Sequence, residues 1–405
     1  MTRVHKTTTL PGISRNRIGI TGQNHIPLHL PHPERICKLD ANEYQYRPAK
    51  TVIDALHFWT DRGMMNWYPD HEAVRLRTAL AEYTRLPFSC IRVFNGADEA
   101  LTYLVDCLVT SGSEVLISPP TYNRVGDRTE YHRGKVKKVL MPDIFKKDLG
   151  LLIEAIGPET RLVYLANPNN PTGTLYSPDD IMTMVRQRPN VYILIDEAYY
   201  EFSGATVADL ATSYSRLLVV RSFSSAFGLA GLRLGYLLAH EKTLTKFEHI
   251  QPYPVVATPA QIAGTAALKS PDHLETTVTV VRNNMTRLHT ALTSMGLSVR
   301  QTVANYLLVK VQHPTAAAEY LSGKLIFVRN CDMYPGLEGY LQITVGDDCT
   351  TARLLSAFLC MPKQLLGPEI TSRKLTLPRP PEQPTNGRLR IIASGERIHM
   401  LAAGK

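Results

Sequence analysis

No stretch of the 405 residues approaches the roughly 20 apolar residues that a bilayer-crossing helix needs, and the N-terminus carries charges without a continuous apolar run. Neither a membrane span nor a secretory leader is expected. No CxxC pair occurs among the six cysteines, Cys37, Cys90, Cys107, Cys331, Cys349 and Cys360, and none stands at metal-ligand spacing from a histidine. This argues against a structural zinc site and a disulfide framework. It predicts reduced thiols in a cytoplasmic protein. Internal repeats are absent, which excludes solenoids and propellers.

The body of the chain also lacks an excess of charge. The formal net charge is +9, but residues 1–36 carry five Lys or Arg against one Glu, and residues 362–405 carry eight against three. The basicity therefore belongs to the ends. A nucleic-acid or membrane surface on the body is not expected. The ends read as solvated tails, with an acidic partner docking on them as the alternative.

With 44% apolar and 20% charged residues, the chain has the balance of a globular protein. Its length suits one large α/β unit with a smaller partner. Short apolar runs at 91–94, 115–118, 162–166, 191–195 and 217–221 predict strands. Amphipathic stretches such as 179–188 lie between them. This alternation predicts a largely parallel sheet covered on both faces. Past about Pro271 the pattern changes: a helix over 273–295, then strands at 306–311, 325–328 and 340–345. The expected division is an N-terminal arm (1–36), a small α+β domain (37–65 and 271–361), a large domain (66–270) and a Pro-containing tail (362–405). A stray strand at 390–394 has no assigned place.

In an α/β sheet ligands bind beyond the carboxyl ends of the strands, so the turns there carry the information. Asn95-Gly96-Ala97-Asp98-Glu99 follows one strand and opens a helix, whose first free N–H groups favour a phosphate; a plain helix cap explains the string as well. Tyr122, after Pro119-Pro120-Thr121, can lie against a flat ring or pack in the core. Asn167-Pro168-Asn169-Asn170-Pro171-Thr172-Gly173 is more specific, because its prolines and glycine constrain the backbone and leave Asn170 for a ligand. Asp196 ends a strand that reads as buried, where an unpaired carboxylate is costly; a protonated ring nitrogen would relieve that cost, and so would a salt bridge. Ser222, Ser224 and Arg233, in the stretch 222–236, make a suitable phosphate cup.

Taken in order, these strings resemble the histidinol-phosphate aminotransferase branch of the fold-type I pyridoxal-phosphate (PLP) enzymes. The resemblance runs from Leu39-Asp40-Ala41-Asn42-Glu43 to Leu341-Gln342-Ile343-Thr344-Val345-Gly346, with Tyr68-Pro69-Asp70 and Pro252-Tyr253-Pro254 in place. It implies a large domain with a mostly parallel central sheet and a smaller α+β domain. Ala97 and Asp98 would offer backbone N–H groups to the cofactor phosphate, with Ser222, Ser224 and Arg233. Tyr122 would stack on the pyridine, Asp196 would pair with its nitrogen, and Asn170 and Tyr199 would bond its phenolic oxygen. Tyr68 would reach the neighbouring subunit's cofactor in a homodimer. Asn42, Tyr44, Arg329 and the residue at 342 would face a small amine or amino-acid substrate.

Two positions depart from that pattern. Ser225 stands where the family keeps the lysine that anchors the cofactor and shuttles a proton; the next lysine downstream is Lys242. Gln342 replaces an arginine that contacts an anionic substrate group, which costs a charge-assisted pair worth about 1.5–3 kcal/mol. Since no lysine codon becomes a serine codon by one base change, and an engineered lysine replacement would not account for Gln342, both read as natural divergence. The expectation is a PLP-dependent aminotransferase-like enzyme of specialised metabolism, its cofactor held non-covalently or as an external aldimine. The alternatives are a non-catalytic PLP-binding pseudoenzyme, acting as a scaffold or heterodimer subunit, and PLP-free chemistry on the same fold.

Overall fold

A computed structural model describes residues 35–367. Nearly all of the N-terminal arm, the tail beyond Gly367 and the run 390–394 lie outside the described residues. Twelve strands form two sheets: β1 (Cys37–Leu39), β2 (Ile91–Phe94), β3 (Glu114–Ile117), β4 (Lys135–Lys138), β5 (Thr160–Ala166), β6 (Tyr192–Asp196), β7 (Leu217–Ser222), β8 (Gly235–Ala239), β9 (Ser298–Gln301), β10 (Tyr306–Lys310), β11 (Ile326–Asn330) and β12 (Tyr340–Thr344).

The larger sheet has the order β2-β8-β7-β6-β5-β3-β4. Only β8 runs against its neighbours, so the sheet is mostly parallel. Its central strands are buried on both faces, as a parallel sheet requires. Val163, Leu165, Ile193, Ile195, Leu217 and Val219 face one core cluster. The residues between them, Leu162, Tyr164, Tyr192, Leu194, Leu218 and Val220, face the other. This period-two division explains why β5–β7 read as continuous apolar runs.

The second sheet has the order β1-β11-β12-β10-β9, antiparallel except where β1 joins β11. Its first strand thus comes from a segment almost 300 residues before its partner, Cys37 opposite Ile326. The helix Pro178–Gln187 shows how local sequence sets an element's start. Ser177 and Asp180 form a reciprocal capping box and Pro178 occupies the first turn, where its missing N–H costs nothing. The predicted 273–295 helix spans Pro271–Ser294.

Four strands escaped the sequence reading. The strand β4 reads Lys-Val-Lys-Lys and is an edge strand with half or more of its side chains in solvent, so it has no apolar run to find. The short β1 and the largely exposed β9 are similarly weak signals. β8 lay hidden at the end of the glycine- and hydroxyl-containing stretch 222–236. Among the described residues no helix is long and apolar enough to cross a membrane.

Candidate active site

A cleft of about 160 Å³ opens at the carboxyl ends of β5, β6 and β7, the position an α/β sheet reserves for ligands. Ala97, Asp98, Tyr122, Asn170, Asp196, Tyr199, Ser222, Ser224, Ser225 and Arg233 line it, joined by Asn42 and Arg329 from segments near both ends of the described chain. Tyr68, Tyr44 and Gln342 do not. Tyr68 is 93% exposed. Tyr44 accepts a hydrogen bond from Thr277 at 2.8 Å and lies against the backbone of Gly228. Gln342 is buried behind the wall, its Nε2 donating to Asn170 Oδ1 at 2.9 Å. No lysine is among the described residues that line the cleft.

One end of the cleft is built by the turn from β2 into the helix Ala97–Leu108. Glu99 Oε2 accepts from both the backbone N–H and the side chain of Asn95, which ties the turn down. Gly96 has φ +94°, and a side chain there would come within 2.6 Å of the Arg233 guanidinium. Arg233 lies across this glycine and reaches Asp98 at 3.3 Å, while Tyr122 donates to the other Asp98 oxygen at 2.6 Å. Gly235, the first residue of β8, sits as close: a Cβ there would come within 2.6 Å of the Gly96 carbonyl carbon and overlap the Ala97 nitrogen. Gly235→Ala is therefore expected to push the helix N-terminus out of place and to destabilise the fold by about 1–3 kcal/mol. The midpoint of urea unfolding checks this.

The Asn-Pro-Asn-Asn-Pro-Thr-Gly string divides its asparagines by role. Asn167 exchanges two hydrogen bonds with the Tyr176 backbone. Asn169 accepts from Thr121 and donates to the Pro120 carbonyl, and Tyr306 donates to its carbonyl at 2.6 Å. Both hold the loop. Only Asn170 of the three lines the cleft.

Asp196 ends β6 with 6% of its surface exposed. Its carboxylate accepts from the Tyr164 hydroxyl at 3.0 Å and from the Ala198 N–H at 3.1 Å. Burial outweighs these bonds, aided by the charges of Asp98 and Glu197, and raises its pKa to about 6. The sequence reading missed Tyr164. It sits two residues before Ala166, which pairs with Asp196 across the sheet, so the two side chains share a face. Only the strand register reveals that.

The neighbouring Glu197 meets the opposite fate. It is fully buried, and its carboxylate takes hydrogen bonds from Arg221 at 2.9 Å, Thr206 at 2.8 Å and the Val207 N–H at 2.9 Å. The Arg221 guanidinium also lies 3.5 Å from the Tyr200 ring centroid. The salt-bridge explanation offered for Asp196 thus applies to the residue after it. Tyr199 accepts from Asn42 Nδ2 at 2.8 Å. Its pKa is pushed up to about 12, chiefly by burial, so at neutral pH its hydroxyl keeps its proton.

The sequence profile of the aminotransferase class I and II family matches residues 34–358. A histidinol-phosphate aminotransferase of Dehalococcoides mccartyi is 35% identical over 327 residues, covering 80% of this chain and 89% of that protein. A dihydroxyacetone phosphate transaminase of Campylobacter jejuni is 31% identical over 315 residues, 75% of this chain and 86% of its own. The crystal structure of histidinol-phosphate aminotransferase from Sinorhizobium meliloti, in complex with pyridoxal-5'-phosphate, superposes with a TM-score of 0.72 at 26% identity, over 79% of this chain and 88% of that one. Matched over most of its length and built on the same architecture, the chain belongs to the class I and II aminotransferase family of fold type I, whose cofactor is pyridoxal phosphate.

Proposed function

We propose that the protein is a PLP-dependent, aminotransferase-like enzyme of specialised metabolism that acts on an amino acid or related amine and holds its cofactor without a lysine. The observation that carries this reading is Asp196. A carboxylate this buried, with two neutral hydrogen-bond donors and no cationic partner among the described residues, fits a protonated pyridine nitrogen, which would remove the penalty of its charge. The helix N-terminus at Ala97 and Asp98, the hydroxyls of Ser222 and Ser224, and Arg233 fit the phosphate.

When bound, pyridoxal phosphate supplies an electron sink for carbanionic charge. The chain's own residues do the rest. Asp196 keeps positive charge on the ring nitrogen. Tyr199, its oxygen already accepting from Asn42, has its proton free to donate to an anionic oxygen in the cleft. Asn170, its oxygen engaged by Gln342, has its amide hydrogens free, and Tyr122 offers a flat face. Ser225 lacks the basicity of an amine, so proton movement at the substrate carbon falls to another base, to water or to the substrate. Ordinary ping-pong transamination is not the expected reaction.

The pairing of β1 with β11 supports grouping 37–65 with 271–361 as a small domain beside a large domain, 66–270. Phe58, Met65, Trp67 and Tyr68 expose 60–93% of their surfaces within eleven residues. Apolar exposure on this scale supports a subunit interface, and a cytoplasmic homodimer with Tyr68 at the neighbour's cofactor is the proposed form. The same exposure favours the second reading, a subunit that completes an active partner while performing no chemistry of its own.

Absorbance spectra separate the readings. Purified protein mixed with PLP is expected to retain the cofactor through gel filtration, to show no covalently fixed cofactor after borohydride reduction, and to gain a new band with the right amine. Failure to retain PLP sinks both readings. Retention without turnover across a panel of amines, followed by turnover once a lysine-containing relative is added, favours the scaffold.

A further inference from the structure

Neither Tyr306 nor Gln342 lines the cleft, yet both reach the loop that carries Asn170. Tyr306 of β10 is fully buried, and its hydroxyl donates to the Asn169 carbonyl at 2.6 Å. Gln342 of β12 is equally buried, and its Nε2 donates to Asn170 Oδ1 at 2.9 Å. Its Oε1 has no hydrogen-bond partner among the described residues, so within them the amide is oriented through Asn170. Strand register explains why the two act on one loop. β10 and β12 pair antiparallel, with Tyr306 opposite Thr344 and Leu308 opposite Gln342. Opposite residues share a face, as do residues two apart on a strand, so Tyr306, Gln342 and Thr344 stand on one face of the second sheet. Thr344 serves the other side of the cleft. Its hydroxyl oxygen accepts from the Asn42 N–H at 2.9 Å, and Asn42 Nδ2 donates to the Tyr199 hydroxyl at 2.8 Å. The Tyr306 ring also meets the Tyr199 ring edge-on, their centroids 5.6 Å apart.

An asparagine amide has an acceptor end and a donor end, and the end that faces the cleft decides whether it attracts or repels an anionic oxygen. With Oδ1 held by Gln342, the donor end of Asn170 is the free one, while Tyr306 pins the carbonyl of the residue before it. We propose that Tyr306 and Gln342 are positioning residues that present the Asn170 amide as a hydrogen-bond donor to the cofactor's phenolic oxygen, and that a site without a lysine depends on them to retain its cofactor. This rests on the proposed PLP-dependent reading. Where no covalent anchor exists, retention is set by the non-covalent contacts together, so a misaimed donor shows directly as lost affinity. The same donor favours the anionic form of the phenolic oxygen and lowers the pH at which it ionises.

Absorbance titration with PLP across a range of pH reads both the affinity and the pH of the bound cofactor's spectral transition. Tyr306→Phe removes a single hydroxyl, and the Asn169 carbonyl keeps its bond from the Gly173 N–H at 2.8 Å, so the fold is expected to survive. Gln342→Leu removes the amide at similar size. Each change is expected to weaken PLP binding about 3–10-fold and to raise the transition pH. In an Asn170→Ala background neither is expected to do anything further, because the group they aim is gone. Circular dichroism and thermal unfolding report whether each variant is folded, and if one is not, the other decides the test. Unchanged affinity and transition pH in the folded variants overturn the positioning role and leave the cofactor reading intact. Effects that persist undiminished in the Asn170→Ala background overturn it equally, since they do not pass through Asn170. Failure of the native protein to retain PLP through gel filtration fails the cofactor reading, and this proposal with it.

Discussion

Replacing Ser225 with lysine is expected to convert non-covalent cofactor retention into a covalent bond. Ser225 lies on the turn after β7 and lines the cleft with 7% of its surface exposed. The turn is held firmly: Phe223 N–H donates to the Leu234 carbonyl and Leu229 N–H to the Phe223 carbonyl, both at 3.0 Å. Phe223 and Phe227 pack with ring centroids 4.7 Å apart. A lysine at 225 therefore starts from a fixed backbone beside the hydroxyls of Ser222 and Ser224. An amine there could condense with the cofactor's aldehyde with loss of water, whereas a serine hydroxyl would form no comparably stable adduct. After borohydride reduction and denaturation, the mass of Ser225→Lys should include the cofactor, while the native chain should not. A positioned general acid–base contributes about 10²–10⁴ in rate, so transamination of a bound amine should rise by a factor of that order. A variant that stays folded and still releases its cofactor after reduction would mean that residue 225 does not reach the cofactor.

Asp196→Asn is expected to move stability in opposite directions with and without PLP. In the cofactor-free protein the Asp196 carboxyl titrates near 6 rather than 3.8, because burial penalises its charge. The folded state thus holds an extra proton between about pH 4 and 6, and stability falls as pH rises through that window, with the full penalty present above it. At 1.36 kcal/mol per unit this amounts to roughly 2–3 kcal/mol. Asparagine carries no charge. The cofactor-free variant should match the native protein near pH 4 and exceed it by that order at pH 7.5. With PLP the ranking should reverse, since in the variant the protonated ring nitrogen loses its carboxylate partner, and retention should weaken by about 10–100-fold. Thermal unfolding at both pH values, with and without PLP, reads all four states. A variant that binds PLP as tightly as the native protein would remove Asp196 from the cofactor's partners.

The part of this site legible in the sequence is the part encoded in short strings after strands. Asn95-Gly96, the proline-rich asparagine turn and the serines after β7 all carry local backbone signals, and the structure gathers them at one cleft. The division of labour within the asparagine turn was not legible. All three asparagines look alike in the string, and only the partners of Asn167 and Asn169 elsewhere in the fold separate them from Asn170. Tyr44 and Tyr68 read as substrate and cofactor residues from the resemblance. In the single chain one is turned to Thr277 and the other stands in solvent.

By itself the sequence determined the α/β class, eight of the twelve strands in their order along the chain and the two chemical departures, Ser225 and Gln342. These follow from residue type and local periodicity, which need no knowledge of distant segments. Tertiary structure alone decided how those departures are housed. It paired Asp196 with Tyr164 through the register of β5 and β6, gave Arg221 to Glu197, and set Gln342 beside Arg329 with one oxygen unanswered. Burial and cross-strand neighbours arise from pairings between segments tens to hundreds of residues apart, and a linear chain does not state them.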